Sequence, residues 1–104
     1  MQYQMIFGWF DARAARAFGT DLARAFIASV PADGKLRGRK FEAKSASALK
    51  HLERQVADFK SKHQLNFYQK ASLGNTFKWA LREGGYDDAQ VIDTLTDWLM
   101  LQLR

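Results

Sequence analysis

The stretch from Tyr86 to Leu103 constrains the fold most, because its apolar residues repeat at the spacing of an amphipathic helix. At about 100° per residue they fall on one broad face. They are Val91, Ile92, Leu95, Trp98, Leu99 and Leu103. Gly84-Gly85 is expected to stop the preceding helix, and Asp87 is the predicted N-cap, with Gln90 completing a capping box. A helix with so wide an apolar face needs partners, which the remaining chain must supply.

Three further segments carry apolar residues at helical spacing. We predict helices over residues 11–29, 45–63 and 66–83. Asp11 is the expected N-cap of the first of them. Pro31 and Asp33-Gly34 mark a turn, so residues 30–41 are expected to form a mobile loop. Four amphipathic helices with mostly short connections predict an all-α fold, a small antiparallel four-helix bundle, as a single domain over residues 1–104.

A row of small residues lies beside the apolar face of the first predicted helix: Ala15, Gly19 and Ala23. Such a row lets another helix approach closely, which would offset the ~1 kcal/mol that glycine costs in a helix interior. In the alternative interpretation, Gly19 breaks the helix and Asp21 helps to begin a second piece.

The second and third predicted helices each carry an apolar face. In the second, the face follows a heptad-like spacing through Ser45, Leu49, Leu52, Val56, Phe59 and His63. In the third, the predicted core face comprises Phe67, Leu73, Gly74, Phe77, Ala80 and Leu81. Tyr68 and Trp79 fall on the opposite side of that helix. We therefore expect these two aromatic side chains to point away from the core.

The first ten residues are apolar and aromatic, and we expect them to lie on the core. So short a segment does not distinguish a strand from the start of a helix. The alternative fold is therefore a small α+β domain, in which residues 2–7 form a strand that pairs with part of 35–41.

The sequence offers little for catalysis or metal binding. It has no cysteine, which excludes thiol nucleophiles, disulfides and thiolate zinc sites. His51 and His63 fall on different faces of one predicted helix, and Asp93 and Asp97 lack the further oxygen ligands that a calcium site needs. No nucleotide-binding or hydrolase motif occurs. We therefore expect a non-catalytic protein without a cofactor or a metal.

The chain is expected to be cytoplasmic. No apolar run approaches the ~20 residues of a membrane span, so none is predicted. The start of the sequence shows no basic region followed by a cleavage site, so a secretory signal is not expected. The absence of cysteine fits a reducing compartment.

The positive charge is concentrated in the middle of the chain. The net charge is +5, and residues 35–62 hold nine bases and three acids, whereas residues 83–104 hold five acids and one base. A basic segment of this kind suggests a phosphate-binding surface. A nucleic-acid-binding function would use Lys35, Arg37, Arg39, Lys40, Lys44, Lys50 and Arg54. No known nucleic-acid-binding motif accompanies them.

The leading functional prediction is a protein–protein interaction or assembly module, most simply a homodimer. Exposed aromatic and methionine side chains are typical of interface centres. The predicted anchors are Tyr68, Trp79, Trp98, Met100 and Leu101. The opposite charges of the basic middle and the acidic end would attract each other across such an interface.

Overall fold

The computed structural model describes residues 11–104, and four helices contain most of them. We number them α1 (Arg13–Ser29), α2 (Gly38–Lys62), α3 (Phe67–Glu83) and α4 (Ala89–Gln102). No strand occurs within residues 11–104, so the predicted all-α four-helix bundle is confirmed for that part of the chain. The expected core contact of residues 1–10, and the strand of the α+β alternative, lie outside the described residues.

The helices form two hairpins that lie side by side. In the first hairpin α1 and α2 are antiparallel, and Phe18 of α1 stacks on Phe59 near the end of α2 with ring centroids 4.1 Å apart. In the second hairpin α3 and α4 are antiparallel, and Lys78 of α3 lies 3.3 Å from a carboxylate oxygen of Asp93. The hairpins meet α1 against α3 and α2 against α4. Within each of these two pairs the helices run in the same direction.

The contact between α1 and α3 is close because of the row of small residues on α1. Ala15, Gly19 and Ala23 are all buried, and α1 continues through Gly19 without a break. A methyl group at Gly19 would lie 2.5 Å from the carbonyl oxygen of Leu73, and closer still to Oγ1 of Thr76. The prediction that Gly19 permits a close helix approach is therefore confirmed, and the helix-break alternative is wrong.

All four helices contribute to one apolar core. Its fully buried large side chains are Leu22, Phe26, Val30, Leu52, Val56, Leu73, Phe77, Leu81, Ile92, Leu99 and Leu103. The prediction was wrong for Phe67, which is 84% exposed. Phe67 is the first residue of α3, where its side chain lies beyond the end of the core. Leu65, two residues earlier, packs against the core instead.

Two predicted N-caps are wrong by one residue. Asp88, not Asp87, caps α4, and its side chain accepts hydrogen bonds from the backbone N–H groups of Gln90 and Val91. Ala12, not Asp11, is the N-cap of α1, and it makes no side-chain capping bond. In both places the observed cap is one residue after the predicted one, a shift of the size by which helix ends commonly vary.

The predicted loop between the first two helices is shorter than expected. Helix α2 begins at Gly38, seven residues before the predicted start at Ser45, so the connection covers only residues 30–37. Gly38 has a φ of +56°, which glycine adopts without steric cost. Because of this early start, the bases at positions 39, 40 and 44 lie on the helix rather than in a loop.

Candidate interaction surfaces

An apolar groove lies between α2 and α4, where the two helices diverge. Its volume is about 450 Å³. Phe41, Ala46 and Leu49 of α2 form one wall, and Val91 and Leu95 of α4 form the other. We call this feature the α2–α4 groove. The groove was not predicted, because Leu49 and Val91 lie on helix faces that were expected to be buried in the core.

The groove closes toward the C-terminal ends of the two helices. There the Lys60 ammonium donates hydrogen bonds to the backbone carbonyl oxygens of Gln102, at 2.9 Å, and Arg104, at 2.7 Å. A lysine at the end of a helix interacts favourably with its terminal carbonyl groups. These bonds hold the C-terminal end of α4 against α2, while the N-terminal halves of the two helices stay apart.

The polar side chains along the groove include two acids and no base. Glu42 and Asp88 line it, together with Ser45, Gln90 and Thr94. The Oγ atom of Ser45 is buried and has no hydrogen-bond partner within the described residues. The α2–α4 groove is therefore an apolar cleft with a weakly acidic rim.

Three of the predicted interface residues lie on α4. Leu101 is 55% exposed, whereas Trp98 is half-buried and packs against the core. Met100 is also exposed, but its sulfur lies over Gly74 of α3, where a methyl group would be 2.7 Å away. At about 100° per residue, Trp98 and Leu101 lie on the side of α4 that carries Thr94 of the groove. The apolar surface of the groove therefore continues along α4 through Trp98 to Leu101.

The other two predicted interface residues lie on the outer face of α3. Trp79 is 53% exposed and Tyr68 is 36% exposed. The guanidinium of Arg82 lies 5.2 Å from the Trp79 ring centroid, which is within the range of a cation–π contact. These side chains are on a different side of the bundle from the groove. The structure thus separates the five predicted anchors into an α4 group and an α3 group.

The basic residues of α2 occupy one outward face of that helix. At about 100° per residue they span a sector of about 140°, opposite the buried Leu52 and Val56. We call this surface the basic face; its residues are Arg39, Lys40, Lys44, Lys50 and Arg54. All five are exposed, and none forms an ion pair with another residue of the described chain. No direct ion pair therefore neutralises them, although Asp58, which pairs with Lys62, lies in the same sector of the helix.

Two more bases, Lys35 and Arg37, precede the basic face in the loop. Both are exposed, and the Arg37 guanidinium donates a hydrogen bond to the Gly34 carbonyl oxygen at 3.0 Å. From Arg39 to Arg54 the basic face extends about 22 Å, at about 1.5 Å per residue. The early start of α2 therefore joins the two parts of the basic segment into one continuous positive surface.

Three titratable groups of the described chain have a pKa clearly shifted from the ordinary value: Asp11, Arg13, whose pKa Asp11 raises, and Tyr86. Hydrogen bonds and the charge of Arg13 lower the pKa of Asp11 to about 2. Burial, and the nearby carboxylate of Asp33, raise the pKa of Tyr86, whose hydroxyl donates a hydrogen bond to the Val30 carbonyl oxygen. None of these three groups lines the α2–α4 groove.

Across residues 11–104, no group of three or more His, Asp or Glu side chains is placed to hold a metal ion. Over the same range, no helix combines the length and the apolar character that crossing a membrane requires.

Comparison with known proteins finds no match: no protein-family model, no curated protein and no solved structure resembles this chain significantly.

Proposed function

We propose that this chain is a non-catalytic assembly module that works as a homodimer. The observation that supports this best is the apolar surface that runs from the α2–α4 groove through Trp98 to Leu101. A fully buried apolar side chain contributes roughly 1.5–3 kcal/mol relative to an exposed one. A second copy that covers this surface would remove it from water.

The proposal assigns different roles to the five predicted anchors. Trp98 and Leu101 lie at the proposed contact, and Met100 supports it by packing on Gly74 of α3. Tyr68 and Trp79, on the outer face of α3, form a separate surface that the homodimer does not need. The expected compartment is the cytoplasm.

Light scattering tests the homodimer. We expect the wild-type protein to have twice the mass of one chain at tens of micromolar, and Leu101→Asp to reduce that mass to one chain. The reason is that the substitution removes the apolar Leu101 side chain from the contact and places a charged group where water is excluded. Trp79→Ala is the matched comparison on the other face and should leave the mass unchanged. A monomeric wild-type protein would refute the homodimer. If Trp79→Ala abolished the dimer and Leu101→Asp did not, the outer face of α3 would be the dimer contact instead.

A second candidate function is nucleic-acid binding through Lys35, Arg37 and the basic face. It is favoured by the absence of ion-pair partners for the five basic-face residues within the described chain. Each phosphate neutralised by a base releases counterions, so the affinity should fall steeply as the salt concentration rises.

Fluorescence anisotropy of labelled DNA and RNA oligonucleotides, titrated with protein at two salt concentrations, tests this second function. We expect micromolar or tighter binding that weakens with salt and is lost in the variant Arg37→Glu/Arg39→Glu. The control is Arg82→Glu on α3, which should bind as the wild type does. Absence of binding at low salt would exclude the nucleic-acid function.

A further inference from the structure

We propose that the second copy in the homodimer is related by a two-fold axis parallel to α2 and α4. With this axis, the basic face of α2 in one copy meets the acidic side of α4 in the other copy. The inference rests on the proposed homodimer, and it specifies which surface is used and in which orientation.

The acidic partner surface is on α4. Asp93 and Asp97 are one helical turn apart and both are exposed. Asp93 is engaged by Lys78 of the same chain at 3.3 Å. Asp97 forms no ion pair within residues 11–104, and it lies on the same outward side of α4 as Leu101. Asp97 is therefore the acid that is available to a second copy.

Lys50 and Arg54 lie at about the same height along the bundle as Asp97. Two contacts show which residues of α2 and α4 lie level with each other along the helix axes. Leu49 and Leu95 both line the groove, and the Lys60 ammonium bonds to the Gln102 carbonyl oxygen. Asp97 is two residues beyond Leu95, and both bases lie between Leu49 and Lys60. A two-fold axis parallel to the helices keeps these heights, because it exchanges the copies without reversing the helix direction.

The charges select this axis over the alternative. A two-fold axis perpendicular to the helices, within the interface, would place α2 of one copy against α2 of the other. Five bases would then face five identical bases, and like charges across an interface are unfavourable. The parallel axis instead pairs each basic helix with an acidic helix, and it does so twice.

The same axis encloses the apolar surface. It brings the two α2–α4 grooves face to face, so that Leu49, Val91 and Leu95 of both copies lie near the centre, with the charged pairs at the edges. An apolar centre with a polar rim is the usual arrangement of a protein interface. On α2 the exposed residues next to the bases include Ala46 and Ala57, which leave room for a neighbouring helix.

A charge-swap experiment tests the orientation. We expect Arg54→Glu and Asp97→Lys, each alone, to raise the dimer dissociation constant about tenfold at low salt, since each places two like-charge pairs across the interface. The double variant should return to within about threefold of the wild type, because the pairs are restored in reverse. Sedimentation equilibrium at several protein concentrations measures all four constants. Arg82→Glu on α3 is the control and should not change the constant.

The outcomes separate this inference from the homodimer itself. A monomeric wild-type protein would overturn both. A wild-type dimer that the single charge changes leave intact, or that the double variant does not restore, would overturn the orientation and leave the homodimer standing. Lys50→Glu, alone and combined with Asp97→Lys, repeats the test in case a variant at Arg54 does not fold.

Discussion

The α1–α3 contact and the α2–α4 contact join the same two hairpins, yet they are built in opposite ways. At the first, the buried row of Ala15, Gly19 and Ala23 lets the helix backbones come so close that a methyl group at position 19 has no space. At the second, half-buried side chains such as Leu49 and Val91 hold the helices apart and leave a groove of about 450 Å³.

The difference shows how a small bundle can combine stability with an open surface. Close contact between helices maximises dispersion and excludes water, so the α1–α3 side holds the fold together. The α2–α4 side contributes less to stability and keeps apolar area available to a partner. Substitutions on the two sides should therefore have different consequences for stability.

The largest expected effect comes from two leucines on α2 that differ in burial. Leu52 is 2% exposed and lies in the core, whereas Leu49 lines the groove. We expect Leu52→Ala to lower the free energy of unfolding by about 2–5 kcal/mol, the usual cost of a core cavity. Measured in the Leu101→Asp background, where no second copy is expected to cover the groove, Leu49→Ala should cost less than Leu52→Ala, since water reaches its side chain. Urea unfolding of both variants measures the difference; equal losses would mean that the groove is part of the core.

Gly19→Ala tests the close contact directly. The added methyl group meets a backbone carbonyl oxygen that cannot rotate away, so we expect a loss of about 1–3 kcal/mol despite the better helix propensity of alanine. Gly74→Ala is the matched control, because its methyl group meets only the flexible side chain of Met100. It should cost less than Gly19→Ala. Equal stability of the two variants would mean that the α1–α3 contact has room for a methyl group at position 19.

Tyr86→Phe removes the hydroxyl that bonds to the Val30 carbonyl oxygen and links the end of α1 to the turn before α4. The expected loss is about 1–2 kcal/mol, because the carbonyl group is left without its partner. The folded pKa of Tyr86 is raised above 10.0, so the neutral phenol stabilises the fold below pH 10 and this contribution is lost as the pH rises through the folded pKa.

Urea unfolding between pH 8 and about pH 11, chosen to bracket the tyrosine pKa, measures that pH dependence. Tyr86→Phe should lose stability less steeply than the wild-type protein over this range. Identical slopes for the two proteins would exclude Tyr86 as the group responsible.

The smallest effect is expected at the exposed start of α1. Asp11 pairs with Arg13 at 2.9 Å, and its pKa is lowered to about 2 from 3.8. Its contribution to stability is therefore present above about pH 4 and is lost as the pH falls toward 2. Arg13→Ala should return the pKa of Asp11 toward 3.8, with little change in melting temperature. An NMR titration of the Asp11 carboxyl carbon measures the shift, and an unchanged pKa in the variant would contradict it.

Local patterns were sufficient to predict the helices but not all of their ends. The spacing of Leu95, Leu99 and Leu103 predicts α4, and all three side chains are buried. The start of α2 was missed because Gly38 and the two bases after it look like part of the loop, although Phe41 of the same turn packs against the core. A helix can begin with such a turn once the rest of its length packs against the core.

The exposure of the candidate anchors could also be predicted from helical periodicity. Tyr68, Trp79, Met100 and Leu101 are all exposed, as expected of side chains that lie away from the apolar faces. Periodicity could not predict that they belong to two separate surfaces. Their grouping depends on where the neighbouring helices lie, and the pattern of one helix does not contain that information.

Residue spacing and charge along the chain were enough to predict four amphipathic helices, the small-residue row on α1, and the opposite charges of the middle and the end of the chain. These are local properties, set by side-chain spacing along a helix and by the charge of each residue. That α1 packs closely on α3 while α2 and α4 stay apart could not be predicted in this way. The distance between two helices depends on how the side chains of both fit together, so the α2–α4 groove exists only once the hairpins have packed.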